Sequence, residues 1–100
     1  MSLSIHKTTD DLTLTVRLSG NLDTATSPEL EAFFQENLET AEHLLIDCQE
    51  LAYISSAGLR VILKAYKAMS KKGGMVLTHV NETVMEIFDI TGFTDFLTIR

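Results

Sequence analysis

Two adjacent hydroxyls, Ser55 and Ser56, stand between an apolar segment ending at Ile54 and the run Ala57-Gly58-Leu59-Arg60-Val61-Ile62-Leu63, whose apolar residues suit an amphipathic helix. A serine at the start of a helix has two uses. Its oxygen can accept from one of the four backbone N–H groups that the first turn leaves unpaired. The same N–H groups, with the positive end of the helix dipole, also favour a bound or covalently attached anion, so the hydroxyl can instead carry a phosphate. Local chemistry leaves both uses open, and the plain cap needs fewer assumptions.

The other reactive side chains form no comparable pattern. His6, His43 and His79 are scattered, without cysteine or carboxylate at metal-ligand spacing, so no metal site is expected. His43 and His79 flank predicted strands and read as surface or hydrogen-bonded structural residues. The single cysteine, Cys48, cannot form an internal disulfide and reads as a small buried or half-buried apolar residue. Asp23, Ser56 and His79 follow one another as in a hydrolase triad, but Ser55-Ser56-Ala57-Gly58 lacks the first glycine of a G-x-S-x-G elbow. Phosphate-cradling and dinucleotide-binding loops are missing too. The expectation is a protein with no catalytic residue and no cofactor.

Eight basic against fourteen acidic side chains leave a formal charge of −6, a poor match for nucleic acid or anionic lipid. The one lysine cluster, Lys64, Lys67, Lys71 and Lys72, has helical spacing and reads as a solvated face. No apolar run approaches the roughly 20 residues that cross a bilayer, and the first residues lack a charged leader followed by an apolar stretch. The reading is an intracellular, cytoplasmic chain without membrane insertion. Its 100 residues suit one domain, 1–100.

The elements that must position the serines follow from periodicity. Leu12, Leu14, Val16 and Leu18 alternate with polar residues as a strand with one face on a core, and residues 3–8 pair with it as a hairpin across Thr9-Asp10-Asp11. Gly20-Asn21 is expected to end that second strand. Ser27-Pro28-Glu29 reads as a capping serine, a first-turn proline and a first-turn acid, opening a helix that buries Leu30, Phe33, Phe34, Leu38 and Ala41. Leu44-Leu45-Ile46 reads as a central strand covered on both faces, followed by a loop to Tyr53.

The helix after the serines is expected to bury Leu59, Ile62, Leu63, Tyr66 and Met69 and to stop at Gly73-Gly74. Met75–Thr78 reads as a further buried strand, Asn81 as the cap of a last helix, and Phe96–Ile99 as a terminal strand. The order β-β-α-β-α-β-α-β argues an α/β fold with a mixed sheet that opens with an antiparallel hairpin. Ligands and partners of such sheets meet the carboxyl ends of the parallel strands. Gly20 to Asp23, Asp47-Cys48 and Ser55-Ser56 are expected at that rim. Asp23 can alternatively cap its own loop, and Asp47 can hold the loop leading to Tyr53.

Two segments resemble the STAS domain of bacterial anti-sigma factor antagonists, and the likeness extends over essentially the whole chain. They are Gly20-Asn21-Leu22-Asp23-Thr24-Ala25-Thr26-Ser27-Pro28-Glu29-Leu30, and Leu45-Ile46-Asp47 through Tyr53-Ile54-Ser55-Ser56-Ala57-Gly58-Leu59. The resemblance implies a STAS-like fold and a switch. Unmodified, the domain binds an anti-sigma factor that is also a serine kinase, freeing a sigma factor; the kinase phosphorylates the antagonist and a serine phosphatase reverses the step. The acceptor falls on Ser56. Where the family has an aspartate before the acceptor this chain has Ser55, the second choice of acceptor, and Ala57 follows where the family has serine or threonine. The implied partner-binding rim is Asp23, Thr24, Asp47, Ser55, Ser56, Ala57, Gly58 and Arg60, with no oligomeric state indicated. An alternative is a constitutive STAS subunit of a membrane transport complex; a nucleotide-binding sensor ranks last, since no phosphate loop supports it.

Overall fold

A computed structural model describes residues 2–100. Strands β1 (Leu3–Asp10) and β2 (Thr13–Leu22) form the expected antiparallel hairpin. Its turn is tighter than expected, only Asp11 and Leu12, with Asp11 in the left-handed region at φ 57 that short polar side chains tolerate. Leu12 therefore leaves the alternating strand and lies 53% exposed.

Strands β3 (His43–Ile54), β4 (Met75–Thr78) and β5 (Thr98–Ile99) continue the sheet parallel to β2, in the spatial order β1-β2-β3-β4-β5. Helices α1 (Ser27–Asn37), α2 (Ser56–Ser70) and α3 (Glu82–Ile90) make the crossovers. Because strand order advances in one direction from β2 to β5, right-handed crossovers place all three helices on the same face. Burial follows that rule. Leu14, Val16, Leu18, Leu44, Ile46, Cys48, Met75 and Leu77 are buried, whereas Thr13, Thr15, Leu45 and Val76, which alternate with them, are only half-buried. Leu44-Leu45-Ile46 and Met75–Thr78 are thus covered on one face, not on both.

On α1, Leu30, Phe34 and the following Leu38 and Ala41 are buried, and Phe33 packs at the margin. On α2, Leu59, Ile62 and Met69 are buried as expected, joined by Val61 and Ala65. Leu63 and Tyr66 are only half-buried, Tyr66 against Phe96 at a ring distance of 4.9 Å. Gly74, at φ 99, ends α2 by donating its N–H to Met69 O at 3.0 Å. The lysine cluster is not simply a solvated face. Lys72 Nζ donates to the carbonyls of Leu38, Glu39 and Ala41 at 2.7, 2.9 and 2.9 Å, closing the end of α1, and Lys64 pairs with Glu31.

Asn81 is the expected cap of α3. Its Oδ1 accepts from Val84 N at 2.9 Å, and its Nδ2 donates to Leu51 O at 2.6 Å, tying the helix start to β3. Asn81→Ala is expected to cost about 1–3 kcal/mol, the cap plus an unpaired carbonyl. A urea titration should show the midpoint falling at unchanged slope. The terminal strand is shorter than expected, because Phe93–Asp95 forms a 3-10 turn after Gly92 and pairing begins only at Thr98.

Candidate functional site

The rim is built by the far ends of β2 and β3. Strand β2 runs through Gly20-Asn21 to Leu22 instead of stopping at the glycine. Gly20 has φ 107, and a Cβ there would sit 2.2 Å from Ser2 O, so the close approach of Ser2 requires glycine. Strand β3 likewise continues to Ile54, replacing the expected loop. Its pairing with β2 slips twice, from Arg17↔Asp47 to Ser19↔Glu50 and from Gly20↔Leu51 to Asn21↔Tyr53. Each slip gives β3 one extra residue, a bulge of the kind that re-aims side chains near functional sites.

Past the second bulge Leu22 pairs with Ile54, and Ser55 N donates to Leu22 O at 2.9 Å. The loop after β2 and the start of α2 are thereby held together. Gly58 permits the approach: a Cβ there would lie 2.7 Å from Leu22 Cγ, 2.8 Å from Leu22 O and 2.9 Å from Ile54 Cγ1.

In the loop, Asp23 and Thr26 cap each other. Asp23 Oδ1 accepts from the N–H groups of Ala25 and Thr26, both at 3.0 Å, and Thr26 Oγ1 accepts from Asp23 N at 2.9 Å. The Thr26 hydroxyl proton goes to Asn21 O at 2.7 Å. The Thr26 N–H, helped to a smaller extent by the Ala25 N–H, holds the Asp23 carboxyl below its ordinary range against the opposing effect of desolvation. Asp23 thus takes the structural option. Ser27 is not the cap of α1: Thr26 stands before the helix in a helical conformation, and the Ser27 hydroxyl donates back to Asp23 O.

Asp47 does not join this rim. It sits mid-strand, paired in register with Arg17 and Thr78, and its Oδ1 accepts from Gln49 N at 3.0 Å and meets His79 Nδ1 at 3.2 Å. The stretch from Asp47 to Ile54 spans on the order of 20 Å of extended strand. His79 therefore belongs to Asp47 and not to Ser56, and His43 Nδ1 lies 3.3 Å from Gly73 O. Cys48 is buried, and burial, reinforced by Asp47, pushes its thiol up to about 12.

The two serines differ sharply. Ser55 occupies the cap position with extended backbone, φ −98 and ψ 177, yet its side chain makes no cap bond; its Oγ is buried without a hydrogen-bond partner. The expected plain cap is not made. Ser56, the first residue of α2, is exposed. Among the described residues none accepts from the N–H groups of Ser56, Ala57 and Gly58. Because Ser55 Oγ already lacks a partner, Ser55→Ala is expected to leave stability unchanged or raise it by up to about 1 kcal/mol, read as the thermal midpoint.

Beside Ser56, a shallow groove between the starts of α1 and α2 is lined by Thr24, Pro28, Glu31, Ala57, Arg60 and Lys64. Arg60 is exposed and, among the described residues, has no ion-pair partner. The structure thus gathers Asp23, Thr24, Ser55, Ser56, Ala57, Gly58 and Arg60 and leaves Asp47 apart. Sequence reasoning passed over Tyr53, which lies 47% exposed next to buried Ile54. The signal was an aromatic in a stretch whose apolar neighbours, Leu51 and Ile54, already supply the core side.

Residues 4–100 match the family described as the STAS domain. The chain belongs to that family. Among STAS-domain relatives, it is 34% identical to the anti-sigma F factor antagonist of Paenibacillus polymyxa over 99% of this chain and 87% of the relative. A crystal structure of an anti-sigma factor antagonist from Mycobacterium paratuberculosis superposes with a TM-score of 0.85 at 21% identity, covering 97% of this chain and 84% of the other. The antagonist SpoIIAA in its unphosphorylated form gives 0.76 at 15% identity, covering 97% and 87%. The Bacillus cell fate determinant SpoIIAA in its phosphorylated form gives 0.75 at 16%, covering 97% and 91%. These STAS structures share the α/β fold with the mixed sheet described above.

Proposed function

We propose that this STAS domain is a cytoplasmic anti-sigma factor antagonist: unmodified, it docks through the Ser56 rim on an anti-sigma factor serine kinase and frees a sigma factor. It is a binding module and a phosphorylation substrate, not a catalyst. The observation that carries the reading is the exposed Ser56 hydroxyl on a helix start whose first N–H groups have no acceptor, in a chain whose relatives are named anti-sigma factor antagonists. That SpoIIAA is known both phosphorylated and unphosphorylated supports the same reading.

Of the two hydroxyls, Ser56 is the acceptor. A kinase must reach the oxygen in line with its phosphate donor, and only Ser56 is exposed, whereas Ser55 Oγ is buried. Phosphorylation adds about −1.5 to −2 charges. The unclaimed N–H groups of α2 receive it, and Arg60, four residues on, shares its helix face, so the fold persists. The docking face changes instead, becoming anionic and harder to desolvate on a domain of formal charge −6. Asp47 contributes little to this repulsion, being about two Debye lengths away at physiological salt. A serine phosphatase restores the binding form.

The reading is tested by titrating the unmodified domain into a preformed complex of the cognate kinase with its sigma factor. Release of the sigma factor in step with added domain is expected; a complex that stays intact at every ratio overturns the reading.

A further inference from the structure

We infer that Tyr53 is the aromatic anchor of the docking face, the side chain that seats in an apolar socket on the kinase beside the Ser56 contact. The inference rests on the reading proposed above and extends the face from α2 onto the end of β3. Of the seven aromatic residues, the other six, Phe33, Phe34, Tyr66, Phe88, Phe93 and Phe96, each pack ring against ring within the fold. Tyr53 alone has no aromatic neighbour of that kind, and among the described residues its phenol has no hydrogen-bond partner.

Its exposure is built into the strand. The bulge at Ala52 leaves Ala52 and Tyr53 both exposed between Leu51 and Ile54, which are each 1% exposed and pin the backbone on either side. A ring held on so fixed a backbone loses little conformational freedom on binding. Tyrosine also suits a contact that is dry at one end and wet at the other. Tyr53 and Ser56 are three residues apart, so their Cα atoms lie within about 11 Å of each other, on the scale of one interface patch. The pairing of an exposed tyrosine with Arg60 matches the residue types that dominate binding energy in protein interfaces.

The other two large exposed apolar side chains among the described residues do not share this position. Leu12 is in the β1–β2 turn, whose carbonyl accepts from His43 at the start of β3, the opposite end of that strand. Ile90 ends α3, the helix whose other end Asn81 ties to Leu51. They serve as matched controls for loss of exposed apolar surface alone.

The test is the affinity of the cognate kinase for wild type, Tyr53→Ala, Tyr53→Thr, Tyr53→Phe, Leu12→Ala and Ile90→Ala, each checked for an unchanged thermal midpoint. Tyr53→Thr keeps strand propensity and so stands in if Tyr53→Ala fails to fold. Loss of affinity by about tenfold or more on removing the ring is expected, with Tyr53→Phe and both controls within about threefold of wild type. Ring removal without effect, equal loss in Tyr53→Phe, or equal loss in the controls overturns the anchor. Wild type that fails to bind the kinase overturns the functional reading itself.

Discussion

Ser56→Asp is expected to weaken capture of the cognate kinase by about tenfold or more, while Ser56→Ala is retained like wild type. The two variants separate charge from shape. Alanine removes a hydroxyl that is exposed and first in α2, so neither packing nor a cap is lost. Aspartate places a permanent negative charge at the docking rim, where the partner must strip water from it. It carries less charge than a phosphate, so the loss is a lower bound on the effect of the modification. The same carboxylate sits at the positive end of the α2 dipole and is expected to stabilise the domain by about 0.3–1 kcal/mol. Weaker binding by a domain of equal or higher thermal midpoint identifies the switch; weaker binding with a lower midpoint would mean only that the rim had been damaged.

Gly58→Ala is expected to destabilise the domain by about 1–2 kcal/mol, although alanine is the better helix former by about 1 kcal/mol. Propensity and packing oppose each other here, and packing wins. The added methyl would lie 2.8 Å from Leu22 O, a backbone atom held in the sheet, and 2.7 and 2.9 Å from the side chains of Leu22 and Ile54, both buried. None of the three can step aside without opening the β2–β3 junction. For a chain of this length 1 kcal/mol corresponds to about 4–8 °C in the thermal midpoint, so the loss is readily measured by calorimetry. Gly58→Val, with two more carbons in the same space, should cost about 3 kcal/mol or more. The strain falls where α2 meets β2, so kinase capture should decline with stability. A stabilised Gly58→Ala would show that the close approach is not required.

The hairpin and the helical crossovers were legible because alternation and helical stripes report one-sided burial directly. What escaped the sequence depends on tertiary geometry. The continuation of β3 through Gln49 and Glu50 is hidden because two bulges break its alternation, and Asp47 was placed at the rim for the same reason: a strand taken to end at Ile46 puts the next residue on its tip. Lys72 looked solvated because the carbonyls it holds belong to the turn that follows α1, more than thirty residues earlier. Val61 is buried because α1 packs alongside α2, and Ala65, between Ile62 and Met69 on one helix face, widens the buried stripe toward α1.

At the site itself the residue types were readable and their states were not. Ser55 and Ser56 are chemically identical in sequence. Only the path of the chain out of β3, with Ser55 N bonded to Leu22 O, turns one hydroxyl inward and leaves the other in solvent. Asp23 was ambiguous between a structural and a functional role until its bonds with Ala25 and Thr26 were seen to occupy it.

The most direct test is residue-level mapping of phosphate by mass spectrometry on wild type, Ser55→Ala and Ser56→Ala after incubation with the cognate kinase and ATP. One phosphate on Ser56 in wild type and Ser55→Ala, and none in Ser56→Ala, is predicted. Phosphate on Ser55, or full phosphorylation of Ser56→Ala, would contradict the account.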